Sequence, residues 1–173
     1  MTSMARLIKI PDILTVGNLI CGLLGIFAAI DGNPQQAAGL IVAAMVLDSF
    51  DGKVAEWLNQ KNAMGKELDS LADLISFGVT PAVIFYLSDA MESGALKSAI
   101  AAMFVSCGML RLARYNISEG TGFDGVPITV NGVLFPALVF LGAWYPGVYS
   151  GWPVLMVIQG ILMVSSLRIS RLF

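Results

Sequence analysis

Long apolar runs interrupted by short polar clusters dominate this chain. Six stretches have the length of a membrane-crossing helix: 13–30, 36–57, 67–87, 97–115, 130–149 and 153–168. About 20 apolar residues span the hydrocarbon core as a helix, whereas a barrel would show short alternating strands. The pattern predicts an all-α, polytopic integral membrane protein with six transmembrane helices, in one domain over residues 1–173. The first run lacks a small-residue cleavage pattern and is followed by further spans, so it reads as a retained helix. The breaks carry turn chemistry: Asp31-Gly32-Asn33-Pro34, the polar run 59–62, the segment 89–94, and the long loop 116–125 with Gly120, Gly122 and Gly125. Residues 3–11 alternate Met4, Leu7, Ile8 and Ile10 with Arg6 and Lys9. That suits either a short amphipathic helix in the headgroup plane or a frayed basic tail. Pro81 and Pro136 fall inside spans, where proline kinks a helix, and Trp144 and Trp152 read as packing and interface residues at the outer boundary, where an aromatic belt is expected.

Composition agrees with the pattern and removes other classes. The 173 residues are 57% hydrophobic and 13% charged, with a mean hydropathy of +0.79. Soluble domains carry about 25% charge, and a chain of 18.4 kDa has too little interior to bury so much apolar surface. A soluble enzyme, a disordered chain and a nucleic-acid binder are excluded. Histidine is absent, which removes a Ser-His-Asp triad, a His-ligated zinc and an imidazole base. Two cysteines make no disulfide framework. With six spans, Arg6, Lys9, Lys53, Lys61, Lys66, Arg111, Arg114, Arg168 and Arg171 fall on one side and Lys97 alone on the other. By the positive-inside rule both termini are expected in the cytoplasm, with the protein multi-pass in the cell membrane.

Four aspartates stand inside predicted spans: Asp48 and Asp51 on the second, Asp69 and Asp73 on the third. A carboxylate in a membrane helix is costly and points to function. Asp48 and Asp51 are i and i+3, and Asp69 and Asp73 are i and i+4, so each pair shares a helix face. Counted outward from the intervening turn, the two pairs fall at similar depth. The four carboxylates can therefore converge, and oxygen-only ligands suit a hard cation such as Mg²⁺, Mn²⁺ or Ca²⁺. Pairing with Lys or Arg, and a proton or cation pathway, are the competing readings. The small residues Gly52, Ala55 and Gly65 lie among these acids and let a flat ligand or a neighbouring helix approach the backbone.

The run Asp48-Ser49-Phe50-Asp51-Gly52-Lys53-Val54-Ala55-Glu56, followed by Gly65, Asp69 and Asp73, resembles the signature of the CDP-alcohol phosphatidyltransferases, D-x-x-D-G-x-x-A-R then G-x-x-x-D-x-x-x-D. One position departs: Glu56 stands where the pattern has arginine. Further stretches are similar to the phosphatidylserine synthase branch of that family, notably 68–82, 111–116, 123–129, 11–18 and 162–168. The resemblance implies a six-helix fold, a homodimer, and a site open to the cytoplasm. It implies transfer of a phosphatidyl or archaetidyl group from CDP-diacylglycerol or CDP-archaeol to L-serine, releasing CMP. It further implies that Asp48, Asp51, Asp69 and Asp73 ligate divalent cations, Mg²⁺ or Mn²⁺, two in number. Asp73 would share the general-base role, and Gly52, Ala55 and Gly65, with Asp48 and Asp69, would form the nucleotide site.

Other residues have two readings each. Thr15 and Asn18, one turn apart, can hydrogen-bond the nucleotide or join helices. Arg111 and Arg114 can anchor the fourth span or capture phosphate and the serine carboxylate, since arginine forks bind such anions bidentately. Ser76 and Asn116 are further candidates for the serine pocket. The loop 116–129 can be a lid that limits hydrolysis, or a solvated connector. The alternatives in function are a family member with glycerol phosphate or inositol phosphate as acceptor, and a cation transporter using the aspartates.

Overall fold

The computed structural model describes residues 9–60, 62–117, 123–166 and 168–169. Most of the segment 3–11, and with it the expected amphipathic helix, lies outside them, as do Lys61, Gly120 and Gly122.

Among the described residues, six helical rods follow one another. The first is α1 (Ile10–Ile30) and the second α2 (Pro34–Trp57). The third begins as α3 (Ala63–Asp73), passes through a π-helical turn at Leu74–Val79, and continues as α4 (Thr80–Leu87). The fourth is α5 (Gly94–Ile117), the fifth α6 (Asn131–Trp144), and the sixth α7 (Trp152–Val164). Short 3₁₀ turns at Ile128–Val130 and Pro146–Gly151 precede the last two. Two-residue strands β1 (Phe123–Asp124) and β2 (Arg168–Ile169) pair antiparallel. Among the described residues, four segments are long and apolar enough to cross a membrane: Ile10–Ile30, Ala63–Leu87, Gly94–Ile117 and Pro146–Val164. α2 has comparable length but carries Asp48, Asp51, Lys53 and Glu56. The expected stretch 130–149 is cut short, because Pro146-Gly147 ends α6 at Trp144 and opens a 3₁₀ turn.

The first two helices end in the same way. After α1, Gly32 takes a left-handed φ of 76°, and the N–H groups of Gly32 and Asn33 donate to the carbonyls of Ala29 and Ala28. After α2, Asn59 takes φ 54°, and Asn59 and Gln60 donate to Glu56 and Ala55. Both are Schellman closures, which satisfy carbonyls at a helix end and fix the exit of the chain. Asn62 then caps α3, its Oδ1 accepting from the Gly65 N–H at 2.8 Å. The α2–α3 turn is thus locked at both ends.

α1 shows what medium the fold is built for. Asp12, Thr15, Asn18, Gly22, Gly25 and Ala29 are buried at helical spacing. Ile13, Val16, Ile20, Leu23, Leu24 and Phe27 lie 44–65% exposed on its other face. This is the reverse of a helix in water and the arrangement a hydrocarbon solvent favours. The molecule is a membrane-embedded helical protein. Small residues bring the rods close: a Cβ on Gly25 would lie 3.0 Å from Thr80 Cγ2, and one on Gly22 would lie 2.9 Å from Ser76 Cα. The Thr80 hydroxyl sits between the carbonyls of Gly22 (3.0 Å) and Ile75 (2.9 Å).

The π turn directly follows Asp73 and places Pro81 in the first turn of α4, where its missing N–H does least harm. The Phe77 carbonyl within that turn accepts from Asn131 Nδ2 at 3.0 Å, and Asn131 Oδ1 accepts from Gln159 Nε2 at 3.0 Å. Two side chains of the last rods thereby support the third. At the far end, Trp152 is fully buried, stacked between Tyr149 and Phe135 at centroid distances of 5.7 and 6.1 Å. This corrects its placement in an outer belt; Trp144 is 81% exposed. The sequence cue failed because Trp152 borders a turn, yet it opens α7 on the side that meets Phe85 and Phe135.

Candidate active site

α2 and α3 run antiparallel from their locked turn and bring their aspartates together. Asp48, Asp51 and Asp69 each present an oxygen within 4.8 Å of the others. At an effective dielectric of about 20, two unit charges at that distance repel by about 3 kcal/mol. Such a triplet suits a cation at its centre. One observation sharpens the fit: Asp69 Oδ1 is buried and has no hydrogen-bond donor among the described residues. Asp73, one turn further and 5% exposed, borders Asp48 but lies outside the close triplet.

α1 supplies the orienting groups. Thr15 Oγ1 donates to Asp51 Oδ2 at 2.7 Å, and Asn18 Nδ2 donates to Asp73 Oδ1 at 3.1 Å. Hydrogen bonds to a charged acceptor are roughly twice as strong as neutral ones. Asp51 and Asp73 are each held in one orientation from the same helix face.

A cleft of about 740 Å³ opens on one side of the triplet. Of the residues singled out from sequence, Thr15, Asp51, Gly52, Ala55, Gly65 and Asp69 line it. Gly52 and Gly65 differ in what they leave room for. A Cβ on Gly52 would meet nothing within 4 Å, so its smallness serves the open space of the cleft. A Cβ on Gly65 would stand 3.0 Å from Asp12 Oδ1. Glu56 and Lys66 also line the cleft. So do Asp12, Gln60, Asn62 and Tyr115, which sequence reasoning missed. Asp12 alone carried a signal, an acid in the first turn of a membrane helix.

The remaining candidates stand elsewhere. Asn18 is fully buried behind the cleft. Ser76 is fully buried and donates to the Asn18 carbonyl at 3.0 Å. Asn116 accepts from Ser70 Oγ and donates to Glu67 Oε2, both at 3.1 Å. Arg114 donates to the carbonyls of Met163, Val164 and Ser165 at 3.1–3.2 Å, closing the end of α7. Lys66 donates to the carbonyls of Tyr115 and Asn116 at 3.1 Å and stands 4.7 Å over the Tyr115 ring. Arg111 is different. It is 7% exposed, its guanidinium carbon is 5.5 Å from the Tyr115 ring, and Asp73 is its charged neighbour. Among the described residues no acceptor takes a hydrogen bond from it. A buried guanidinium needs a charge partner, and Asp73 is the acid beside it.

Comparison with known proteins bears on the same residues. The family model for CDP-alcohol phosphatidyltransferases matches residues 8–170. The chain belongs to that family. Among curated members of the family, it is 37% identical over 166 residues to the CDP-diacylglycerol–serine O-phosphatidyltransferase of Helicobacter pylori, covering 91% of this chain and 70% of the relative. It is 36% identical over 168 residues to the archaetidylserine synthase of Methanothermobacter thermautotrophicus, covering 95% and 70%. It is 42% identical over 134 residues to the CDP-diacylglycerol–serine O-phosphatidyltransferase of Bacillus subtilis, covering 76% and 75%. The acidic triplet and its cleft lie within the family match.

Proposed function

We propose that this protein transfers a phosphatidyl or archaetidyl group from a CDP-linked lipid to L-serine and releases CMP. The observation that carries the reading is the carboxylate triplet beside a cleft whose wall at Gly52 is left open. Asp48, Asp51 and Asp69, with Asp73 beside them, would hold Mg²⁺ or Mn²⁺, two ions in the full site. When bound, the cations neutralise the diphosphate and stabilise the CMP leaving group.

The chain's own residues do the rest. Gly52, Ala55 and Gly65 admit the nucleoside against the backbone. Thr15 keeps Asp51 turned toward the triplet. Asn18 keeps Asp73 in place through Oδ1. The serine hydroxyl oxygen forms a bond to the lipid-proximal phosphorus as the bond from that phosphorus to the CMP oxygen breaks. The hydroxyl proton passes to Asp73, the carboxylate suited to general-base work in a chain without histidine. Arg111, beside Asp73, receives the serine carboxylate. Arg114 and Lys66 are engaged by carbonyls of α7 and α5, which leaves Arg111 as the buried cation at the acceptor end. One guanidinium fits a carboxylate acceptor better than a phosphorylated one.

The rods are read as six membrane spans, with both termini and the cleft on the cytoplasmic side. The lipid-facing surfaces are read as leaving room for a homodimer.

CMP release by the detergent-solubilised protein tests the reading. A CDP-lipid is supplied with serine, glycerol phosphate or inositol phosphate in turn, with Mg²⁺ or Mn²⁺ or with chelator. Metal-dependent release with serine alone is expected. Asp69→Asn should abolish release while the protein stays folded. Turnover at the wild-type rate in that variant would sink the metal assignment, and release with a phosphorylated acceptor would move the acceptor away from serine.

A further inference from the structure

Asp12 is a carboxylate of the cleft that the signature does not include. It is 3% exposed, yet it lines the cleft. Its Oδ2 accepts from the Lys9 N–H at 2.7 Å, which pins the side chain at the start of α1. The positive end of the helix dipole favours its charge there. Its Oδ1 has no donor among the described residues. That oxygen stands 3.0 Å from where a Gly65 side chain would begin. It therefore lies directly beside Gly65 in the cleft wall, with Asn62 Nδ2 and Oδ1 at 3.7 and 3.8 Å from the same point.

The position along α1 orders the cleft. Thr15, which holds Asp51, is three residues further into the membrane, a rise of about 4.5 Å. The phosphates of a nucleotide belong at the triplet, so Asp12 lies on the nucleoside side. A planar base resting on Gly65 would present its edge to Asp12 Oδ1. A carboxylate oxygen only accepts hydrogen bonds, so it suits an exocyclic amine and repels a carbonyl in the same place.

We infer that Asp12 reads the amine-bearing edge of the nucleobase and selects cytosine over uracil. The inference rests on the nucleotide-binding reading given above. A site built to bond one polar group rejects the analogue that lacks it far more strongly than a purely apolar pocket can.

Binding of free CMP and UMP to the full-length protein in detergent with Mg²⁺, measured by calorimetry, tests it. Wild-type protein is expected to bind CMP at least tenfold more tightly than UMP. Asp12→Asn keeps the shape of the side chain and an oxygen for the Lys9 N–H, so the first turn of α1 is retained. Its amide can turn a donor toward the uracil carbonyl, and the preference should fall below threefold, mainly through tighter UMP binding. Asp12→Glu retains a carboxylate and should keep a preference for CMP. A preference unchanged in Asp12→Asn overturns the inference, as does equal binding of both nucleotides by the wild type. Binding of neither by the wild type overturns the nucleotide reading itself. Thermal unfolding of each variant, run alongside, separates a lost site from a lost fold.

Discussion

Gly52 and Gly22 would look alike in a composition table, and their surroundings set them apart. A side chain at Gly22 would press on the Ser76 backbone at 2.9 Å, between two rods. At Gly52 it would enter the cleft and meet no protein atom within 4 Å. Gly22→Val should therefore destabilise the protein by about 1–3 kcal/mol, the usual range for overpacking, seen as a lower unfolding midpoint in detergent. Gly52→Val should leave that midpoint unchanged and raise KM for the CDP-lipid at least tenfold. Thr15 makes a similar point for a polar group. Thr15→Val removes the 2.7 Å bond to Asp51 and little volume. Partners that orient metal ligands are worth about 10–100-fold in metal affinity or activity. A titration of CMP release with Mg²⁺ should show the half-maximal concentration rising by that order, and an unchanged midpoint would exclude Thr15 from the metal site. The four aspartates were legible in sequence because charge is so costly in a membrane helix. Asp12 was not, because an acid in a first turn has an ordinary explanation in the helix dipole. Gln60 was not, because only the closure at Asn59 turns it into the cleft wall.

At the scale of elements, the third rod departs most from what pattern reading can see. Hydrophobic spacing shows one helix across 67–87 and marks Pro81 as a kink. The chain instead inserts a π turn between the acidic α3 and the apolar α4. Its freed Phe77 carbonyl needs a donor from a rod more than fifty residues later, Asn131 on α6. Such a long-range match leaves no local trace in sequence. Asn131→Leu removes that donor and the acceptor for Gln159. Leaving buried polar groups without partners costs about 1–3 kcal/mol each, so the unfolding midpoint should fall clearly in detergent. A midpoint equal to wild type would show that the network does not hold the turn. By contrast, the turns at Asp31–Pro34 and 59–62 were plain in sequence, because Gly32, Asn59 and Asn62 perform local backbone tasks.

For the whole molecule, the inside-out helix α1 and the apolar faces around it make the bilayer the solvent of this fold. The uneven placement of Lys and Arg predicts a direction. In a chain with Cys21 and Cys107 replaced by serine, Ser166→Cys should be labelled by an impermeant thiol reagent only from the cytoplasmic side. Asn33→Cys, in the α1–α2 turn, should be labelled only from outside. Labelling of both from one side would overturn the six-span topology. The order of the rods was readable from hydropathy alone, whereas which faces they turn to one another depended on glycine contacts such as Gly25 with Thr80.

The grip of Arg114 on the carbonyls closing α7 has a consequence for biosynthesis. Arg114 and Val164 are fifty residues apart, so the fourth rod leaves the ribosome well before its anchor is made. A Val126 N–H donating to the Leu162 carbonyl ties the intervening loop to the same place. A nascent chain already carries its full set of aspartates while the ground around Arg111 is still unbuilt. The latch closes only when the final rod arrives, and an unfinished translation product holds Asp48, Asp51, Asp69 and Asp73 without the frame that the last rod completes.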